Sequence, residues 1–179
     1  MGIGAVKAVF LDRDGVLNVP VVCDGRAYPP ASVENLQIYR DAATALLALK
    51  QAGYRLIVVT NQPDIARGTQ TWEAVDAINA AIGAVLPIEE FLVCAHDDAD
   101  HCACRKPKPG LVLEAAERGG INLAQSFLIG DRWRDIDCGA AAGVRTVLLD
   151  RGYRERAPEH APDFVAHSLA AAADWILAQ

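Results

Sequence analysis

The residues able to do chemistry in this 179-residue chain stand at the ends of apolar runs. In "LDRDG", Asp12 and Asp14 lie two positions apart, directly after Val9-Phe10-Leu11 and directly before Gly15. Like charges that close repel, and a carboxylate at the end of a buried strand is costly unless a cation compensates it. Farther on, Thr60 follows Val58-Val59, and Lys106 closes a polar loop that begins after Val93. Asp131 follows Ile129-Gly130, with Asp135 four residues later. Any one of these could be the polar start of a loop. Together they are the groups that phosphoryl transfer needs. Asp12 can attack phosphorus as a nucleophile. Asp14 can serve as general acid and then base toward the leaving-group oxygen. Thr60 and the backbone amides near Asn61 can hydrogen-bond phosphoryl oxygens, and Lys106 supplies charge against the charge developing in transfer. Asp131 completes an oxygen-rich group suited to Mg²⁺, which would offset the crowding of Asp12, Asp14 and Asp131. Asp135, one helical turn on, can hold Lys106 or the metal's water shell. Gly15 keeps a side chain out of the path of a phosphate.

A second cluster, "VCAHDDADHCACRKP", has softer ligands. Cys94, His96, Cys102 and Cys104 make a closed set of four suited to tetrahedral zinc, with no position left open for a substrate. A structural Zn²⁺ is therefore expected in a loop of about residues 94–104, with His101 a surface residue. Cys23 and Cys138 stand alone and read as packed small residues. Trp72, Trp133 and Trp175 read as core or pocket-rim residues.

These groups need elements to hold them. Apolar, β-branched runs recur at Val6–Leu11, Leu56–Val59, Phe91–Val93, Phe127–Ile129 and Thr146–Leu149, as expected of parallel strands covered on both faces. Helical patterns lie between them at Asp41–Gly53, Thr71–Leu86, Pro109–Gly119 and Asp135–Gly143, and a last one follows the N-cap Ser168. Alternation throughout predicts an α/β fold, a Rossmann-like, doubly wound and mostly parallel sheet forming a single domain over 1–179. Ligands of such sheets bind beyond the carboxyl ends of the strands, where all the candidate residues fall. The gaps from Asp14 to Thr60 and from Thr60 to Lys106 are each filled by one helix and its loops. No large cap domain fits, so the zinc loop and the Asn18–Pro30 loop are the expected lids.

Composition narrows the class. Hydrophobic residues make up 52% of the chain, enough for a sizeable core. A net charge of −6 and a pI near 5.1 argue against nucleic acid as a partner. No apolar run approaches the roughly 20 residues of a membrane span, so no membrane partner is expected. The opening "MGIGAVKAVF" lacks a signal-peptide layout. The expectation is a cytoplasmic monomer acting on a small-molecule phosphate ester, and three cysteines within eleven residues of a reducing compartment again suggest metal.

In order, "LDRDGVLN", "VVTNQ", "CRKPKPG" and "IGDRWRD" resemble the four motifs of the haloacid dehalogenase superfamily of phosphatases. The resemblance implies Asp12 as nucleophile, Asp14 as acid/base, and Thr60 and Lys106 as phosphoryl stabilisers. It implies Mg²⁺ held by Asp12, Asp131 and the backbone carbonyl of Asp14. The zinc loop narrows it to the branch of D-glycero-D-manno-heptose 1,7-bisphosphate 7-phosphatases and histidinol-phosphate phosphatases. "NQPDIARG" and Asn18 resemble the heptose side, whereas the short zinc loop and Arg132 in place of a lysine resemble the histidinol side. Substrate contacts are implied at Asn18, Asn61, Gln62, Arg67, Arg105 and Arg132. The expectation is a sugar phosphatase, with histidinol phosphate as the alternative and a non-catalytic, zinc-stabilised binding module as the reading of another class.

Overall fold

A computed structural model describes residues 6–179; the reading of the first five residues as no leader lies outside the described part. The chain runs β1 (Lys7–Leu11), a small hairpin of β2 (Val21–Cys23) and β3 (Arg26–Tyr28), α1 (Ala42–Gln51), β4 (Tyr54–Asn61), α2 (Trp72–Gly83), β5 (Glu90–Cys94), α3 (Gly110–Gly119), β6 (Phe127–Gly130), α4 (Trp133–Ala142), β7 (Arg145–Leu149), β8 (Phe164–Ala166) and α5 (Leu169–Leu177). Six strands form one sheet in the order β5-β4-β1-β6-β7-β8, every pair parallel. The chain moves outward from β1 to β5, then crosses back to β6 on the other side of β1. That reversal opens a crevice at the carboxyl ends of β1, β4 and β6, the place where open α/β sheets bind ligands.

Period-two alternation splits the strand residues between two cores. Val9, Leu11, Leu56 and Val58 pack with α1, α2 and α5 on one face. Ala8, Phe10, Ile57 and Val59 pack with α3 and α4 on the other. Burial on both faces is why these strands read as unbroken apolar runs. Thr71 caps α2 by accepting a hydrogen bond from the Ala74 amide, and Ser168 caps α5 through Ala171.

Several expectations need correction. Helix α2 stops at Gly83 rather than Leu86, and α4 starts at Trp133, two residues before its predicted start. The hairpin β2–β3 and strand β8 were not foreseen; at three residues each they are too short to show a period. Cys23 is exposed on the hairpin rather than packed, whereas Cys138 is buried. Trp72 is 46% exposed at the start of α2, in neither core nor rim. Trp175 packs edge-on to Phe127 and stacks on Phe164, and Trp133 carries the Arg134 and Arg156 guanidinium groups over its ring. Among the described residues, no helix is long and apolar enough to cross a membrane.

Candidate active site

Asp12 lies one residue past β1, its amide bonded to the Ile129 carbonyl of β6 at 3.0 Å. Its Oδ1 accepts from the Arg13 amide at 2.8 Å and lies 2.9 Å from Lys106 Nζ. Among the described residues no donor meets Oδ2, so one oxygen of a nearly buried carboxylate remains free at the cleft. Lys106 is 2% exposed, and its ammonium also donates to Asp135 Oδ1 at 2.6 Å and to the Val59 carbonyl at 2.8 Å. Burial opposes the Lys106 charge, but Asp12 and Asp135 outweigh it and hold the ammonium above the usual lysine range. Asp135 is saturated, since its Oδ2 accepts from the Arg132 amide at 3.1 Å. Gly130 gives Asp135 its space; a Cβ there would sit 2.0 Å from the Asp135 Cβ.

Asp131 is different. It is 5% exposed, and neither carboxylate oxygen has a hydrogen-bond partner. The Tyr153 phenol faces it without meeting hydrogen-bond geometry. Burial, then the charges of Asp12 and Asp135, push its pKa well above the carboxylate range. Burial likewise pushes Asp12 up to about 6, against the pull of Lys106. Carboxylate oxygens of Asp12, Asp131 and Asp135 all lie within 4.8 Å of one another. Orphaned, buried oxygens among like charges are what a hard divalent cation satisfies, so these residues fit Mg²⁺. Gly15 has φ +84°, and a Cβ there would fall 1.7 Å from Asp131 Oδ2, so no side chain fits beside this carboxylate.

Asp14 sits apart from that group. Its Oδ1 accepts from Asn18 Nδ2 at 2.9 Å and its Oδ2 from Gln62 Nε2 at 2.8 Å, while Arg13 Nη2 lies 2.9 Å from Oδ2. The same Gln62 amide reaches Thr60 Oγ1 at 3.0 Å. Asn18 and Gln62 are 0% and 1% exposed. Expected as substrate contacts, they lie behind Asp14 and Thr60 and are not among the residues that line the cleft.

The cleft above holds about 350 Å³ and is lined by Asp12, Asp14 and Lys106 at its floor. Asn61, Arg67, Arg105 and Arg132 do line it. Asn61 brackets Lys106, donating to its carbonyl at 3.0 Å and accepting from its amide at 3.1 Å. Arg67 grips Asp97 through two bonds of 2.8 Å and holds that carboxyl down to about 2. Arg105 donates to Asp98 at 2.8 Å and to the His96 carbonyl at 3.2 Å. Arg132 pairs with Glu155. The lids are the hairpin, through Tyr28 and Pro29, the loop after β5 and, unforeseen, the segment following β7 that carries Tyr153 and Glu155. That segment is irregular and offered no period to read. Arg134 was also missed, though it stands inside "IGDRWRD"; it bonds Asp98 at 3.0 Å and the Lys106 carbonyl at 3.2 Å.

The second cluster forms where it was expected. Cys104 Sγ lies 3.2 Å from Cys94 Sγ, 3.4 Å from Cys102 Sγ and 3.3 Å from His96 Nδ1. Cys94 Sγ lies 3.6 Å from His96 Nδ1 and 3.7 Å from Cys102 Sγ. A zinc with bonds of about 2.0–2.3 Å needs tetrahedral edges of roughly 3.5–3.8 Å, so the four atoms fit it. His101 stays outside the cluster, in the left-handed region at φ +48°.

Known proteins share this architecture. A family model described as HAD-hydrolase-like matches residues 103–172. The D-glycero-beta-D-manno-heptose-1,7-bisphosphate 7-phosphatase of Helicobacter pylori (strain ATCC 700392 / 26695) is 35% identical over 149 residues, 80% of this chain and 83% of its own. The enzyme of the same name from Escherichia coli (strain K12) is 33% identical over 180 residues, covering 93% and 91%. A crystal structure of D,D-heptose 1.7-bisphosphate phosphatase from B. bronchiseptica, complexed with magnesium and phosphate, superposes with a TM-score of 0.81 at 30% identity, covering 97% and 99% of the two chains. With identity of that level over nearly the whole length, and with the nucleophile strand at the switch of the sheet, the chain belongs to the haloacid dehalogenase-like phosphatases and is a phosphoric monoester hydrolase.

Proposed function

We propose that this enzyme removes one phosphate from a small bisphosphorylated sugar, D-glycero-D-manno-heptose 1,7-bisphosphate at its 7-position. Asp12 attacks phosphorus through its free oxygen and becomes an aspartyl phosphate. Lys106 neutralises the charge gathering on the phosphoryl oxygens, and Thr60 donates a hydrogen bond to one of them. Asp14 protonates the departing sugar oxygen, then takes a proton from the water that hydrolyses the aspartyl phosphate. Asp12 and Asp131, with the Asp14 carbonyl, would hold Mg²⁺, with Asp135 in support through Lys106. When bound, that ion offsets negative charge at the reacting phosphate. Cys94, His96, Cys102 and Cys104 would hold a structural Zn²⁺ that fixes the loop aiming Arg105 and Lys106. Every residue named comes from one chain, so a single-domain monomer suffices.

The observation that carries this reading is the floor of the cleft. A carboxylate with one free oxygen lies 2.9 Å from a buried ammonium, beside an aspartate with two orphaned oxygens. The arginines on the walls, Arg67, Arg105, Arg132 and Arg134, suit a substrate with a second anionic group. The test is magnesium-dependent phosphate release across heptose 1,7-bisphosphate, histidinol phosphate and common sugar monophosphates. The heptose bisphosphate should give the highest kcat/KM by at least about tenfold. A preference for histidinol phosphate would replace this substrate with the alternative.

A further inference from the structure

The largest fully buried side chain among the described residues is a charged one, Arg13, between the two candidate catalytic aspartates. Each nitrogen of its guanidinium has a partner among the protein's own side chains. Nε and Nη2 reach Asp14 Oδ1 at 3.3 and 3.2 Å, and Nη2 also reaches Oδ2 at 2.9 Å. Nη1 donates to Asn79 Oδ1 at 3.0 Å. Asn79 is a polar residue, 6% exposed, on the inner side of α2. The Arg13 carbonyl in turn accepts from the amides of Leu17 and Asn18, at 2.8 and 3.3 Å, which ties the guanidinium's own backbone to the loop after β1.

A buried guanidinium is expensive, and apolar packing would stabilise a strand end better. Neither Arg13 nor Asn79 lines the cleft, so neither touches a substrate there, whereas Asp14 does line it. A guanidinium fork fixes both the position and the plane of a carboxylate, which a lysine's point charge does not. Asn18 and Gln62 each give Asp14 one bond, Asn18 to Oδ1 and Gln62 to Oδ2, and a single bond from an uncharged amide does not fix the carboxylate plane. The fork is the fixed element, and Asn79 anchors it to a different part of the fold.

We propose that Arg13, braced by Asn79, is a positioning residue that sets the Asp14 carboxyl for both of its proton transfers. The proposal rests on the role of Asp14 given above. In the first transfer the Asp14 proton moves to the leaving oxygen as its bond to phosphorus breaks and the bond to Asp12 forms. In the second, Asp14 takes a proton from water as the water oxygen bonds to phosphorus and frees Asp12. A poor alkoxide leaving group needs the first proton, whereas an activated phenolate hardly does.

The test compares a sugar phosphate with 2,4-dinitrophenyl phosphate in the magnesium-loaded enzyme. For Arg13→Lys, kcat/KM on the sugar phosphate should fall about 100-fold and on the aryl ester less than about threefold. Hydrolysis of the aspartyl phosphate should become limiting, so that dinitrophenolate appears as a burst approaching one equivalent. Asn79→Ala, which leaves the arginine in place, should show the same pattern at about tenfold, and it decides the matter if Arg13→Lys does not fold. Asp14→Asn is the reference. If it shows the leaving-group split while both other variants slow the two substrates equally, or slow neither, the positioning role is wrong and the Asp14 assignment stands. If Asp14→Asn itself slows both substrates equally, the assignment fails and takes the positioning role with it.

Discussion

Two groups of candidate metal ligands meet at the segment 94–106, which supplies all of the first and the lysine that pairs with the second, and they are built on opposite plans. In the thiol-imidazole cluster all four side chains face one another, with separations of 3.2 to 3.7 Å, and none is engaged by a cation among the described residues. In the carboxylate cluster the protein itself occupies much of the ligand capacity. Lys106 takes one oxygen each of Asp12 and Asp135, and the Arg132 amide takes the other Asp135 oxygen. What remains open is both oxygens of Asp131 and one of Asp12. A closed, soft set suits an ion that stays; an open, hard set suits an ion that shares its shell with a reacting phosphate. The loop between them carries Arg105 and Lys106, so whatever orders the first cluster also places the cations of the second.

The sharpest way to break that division is Asp12→Asn. An amide of nearly the same shape cannot form an acyl phosphate, so phosphate release should fall by at least about 10⁴-fold. The fold should survive with its stability kept or slightly raised, because one charge leaves a repulsive buried group. Activity within about tenfold of the parent in a steady-state assay would remove Asp12 as nucleophile.

Next in size is loss of the soft-ligand ion. Elemental analysis of protein purified without chelator should find close to one zinc per chain, and Cys104→Ser should remove it. The thermal midpoint should then drop by about 5–15 °C, because the loop loses the crosslink that holds it. Magnesium must still be added separately for turnover. Full activity in protein that retains zinc but has been freed of magnesium would erase the contrast between the two clusters.

Smaller again is Arg105→Ala. The arginine leans on Asp98 and the His96 carbonyl, its side chain is only 10% exposed, and it lines the cleft rather than standing in solvent. KM for the bisphosphate should rise by about one to two orders of magnitude, equivalent to roughly 1.5–3 kcal/mol of charged hydrogen bonding. A generic aryl phosphate has no distal group and should barely respond. Equal loss of kcat on both would move Arg105 to the reacting phosphate.

How far the sequence alone reached depended on depth and on length of signal. Asp12, Thr60 and Asp131 each follow an apolar run, Lys106 closes the polar loop after another, and the parallel sheet brings those run ends to one edge. The four zinc-type ligands were legible because cysteines spaced by two in a polar loop have little other use. Asn18 and Gln62 were read as contacts because a motif says nothing about depth; parallel strands on both sides of β1 leave them beneath the floor. Arg13 was passed over for the reverse reason, since an arginine between two aspartates looks solvated until the sheet closes over it. Tyr153 and Glu155 belong to a segment without period, placed only by tertiary contacts such as the Arg151 bond to the Gly15 carbonyl at 2.9 Å.

The finest test of the open cluster is its response to protons. Burial raises the Asp12 pKa from 3.8 in a free chain to about 6 in the fold, and Asp131 moves in the same direction. A folded-state pKa above the unfolded one means that the fold binds the proton more tightly. The associated stability is therefore complete below pH 3.8 and is lost as pH rises through about 6. For Asp12 alone the loss is at most about 3 kcal/mol, at 1.36 kcal/mol per unit. Magnesium favours the ionised carboxylates and should restore what the metal-free protein gives up at neutral pH. Its stabilising effect should thus be larger at pH 7.5 than at pH 5.5, by about 2–6 °C in thermal midpoint for a chain of this size. Zinc is kept in excess at both values, so that the thiol cluster stays loaded and its own protonation does not enter. Asp12→Asn should flatten the difference. Equal magnesium shifts at the two pH values in the parent protein would mean that the carboxylates are not the ion's ligands, and the two clusters would lose the contrast drawn between them.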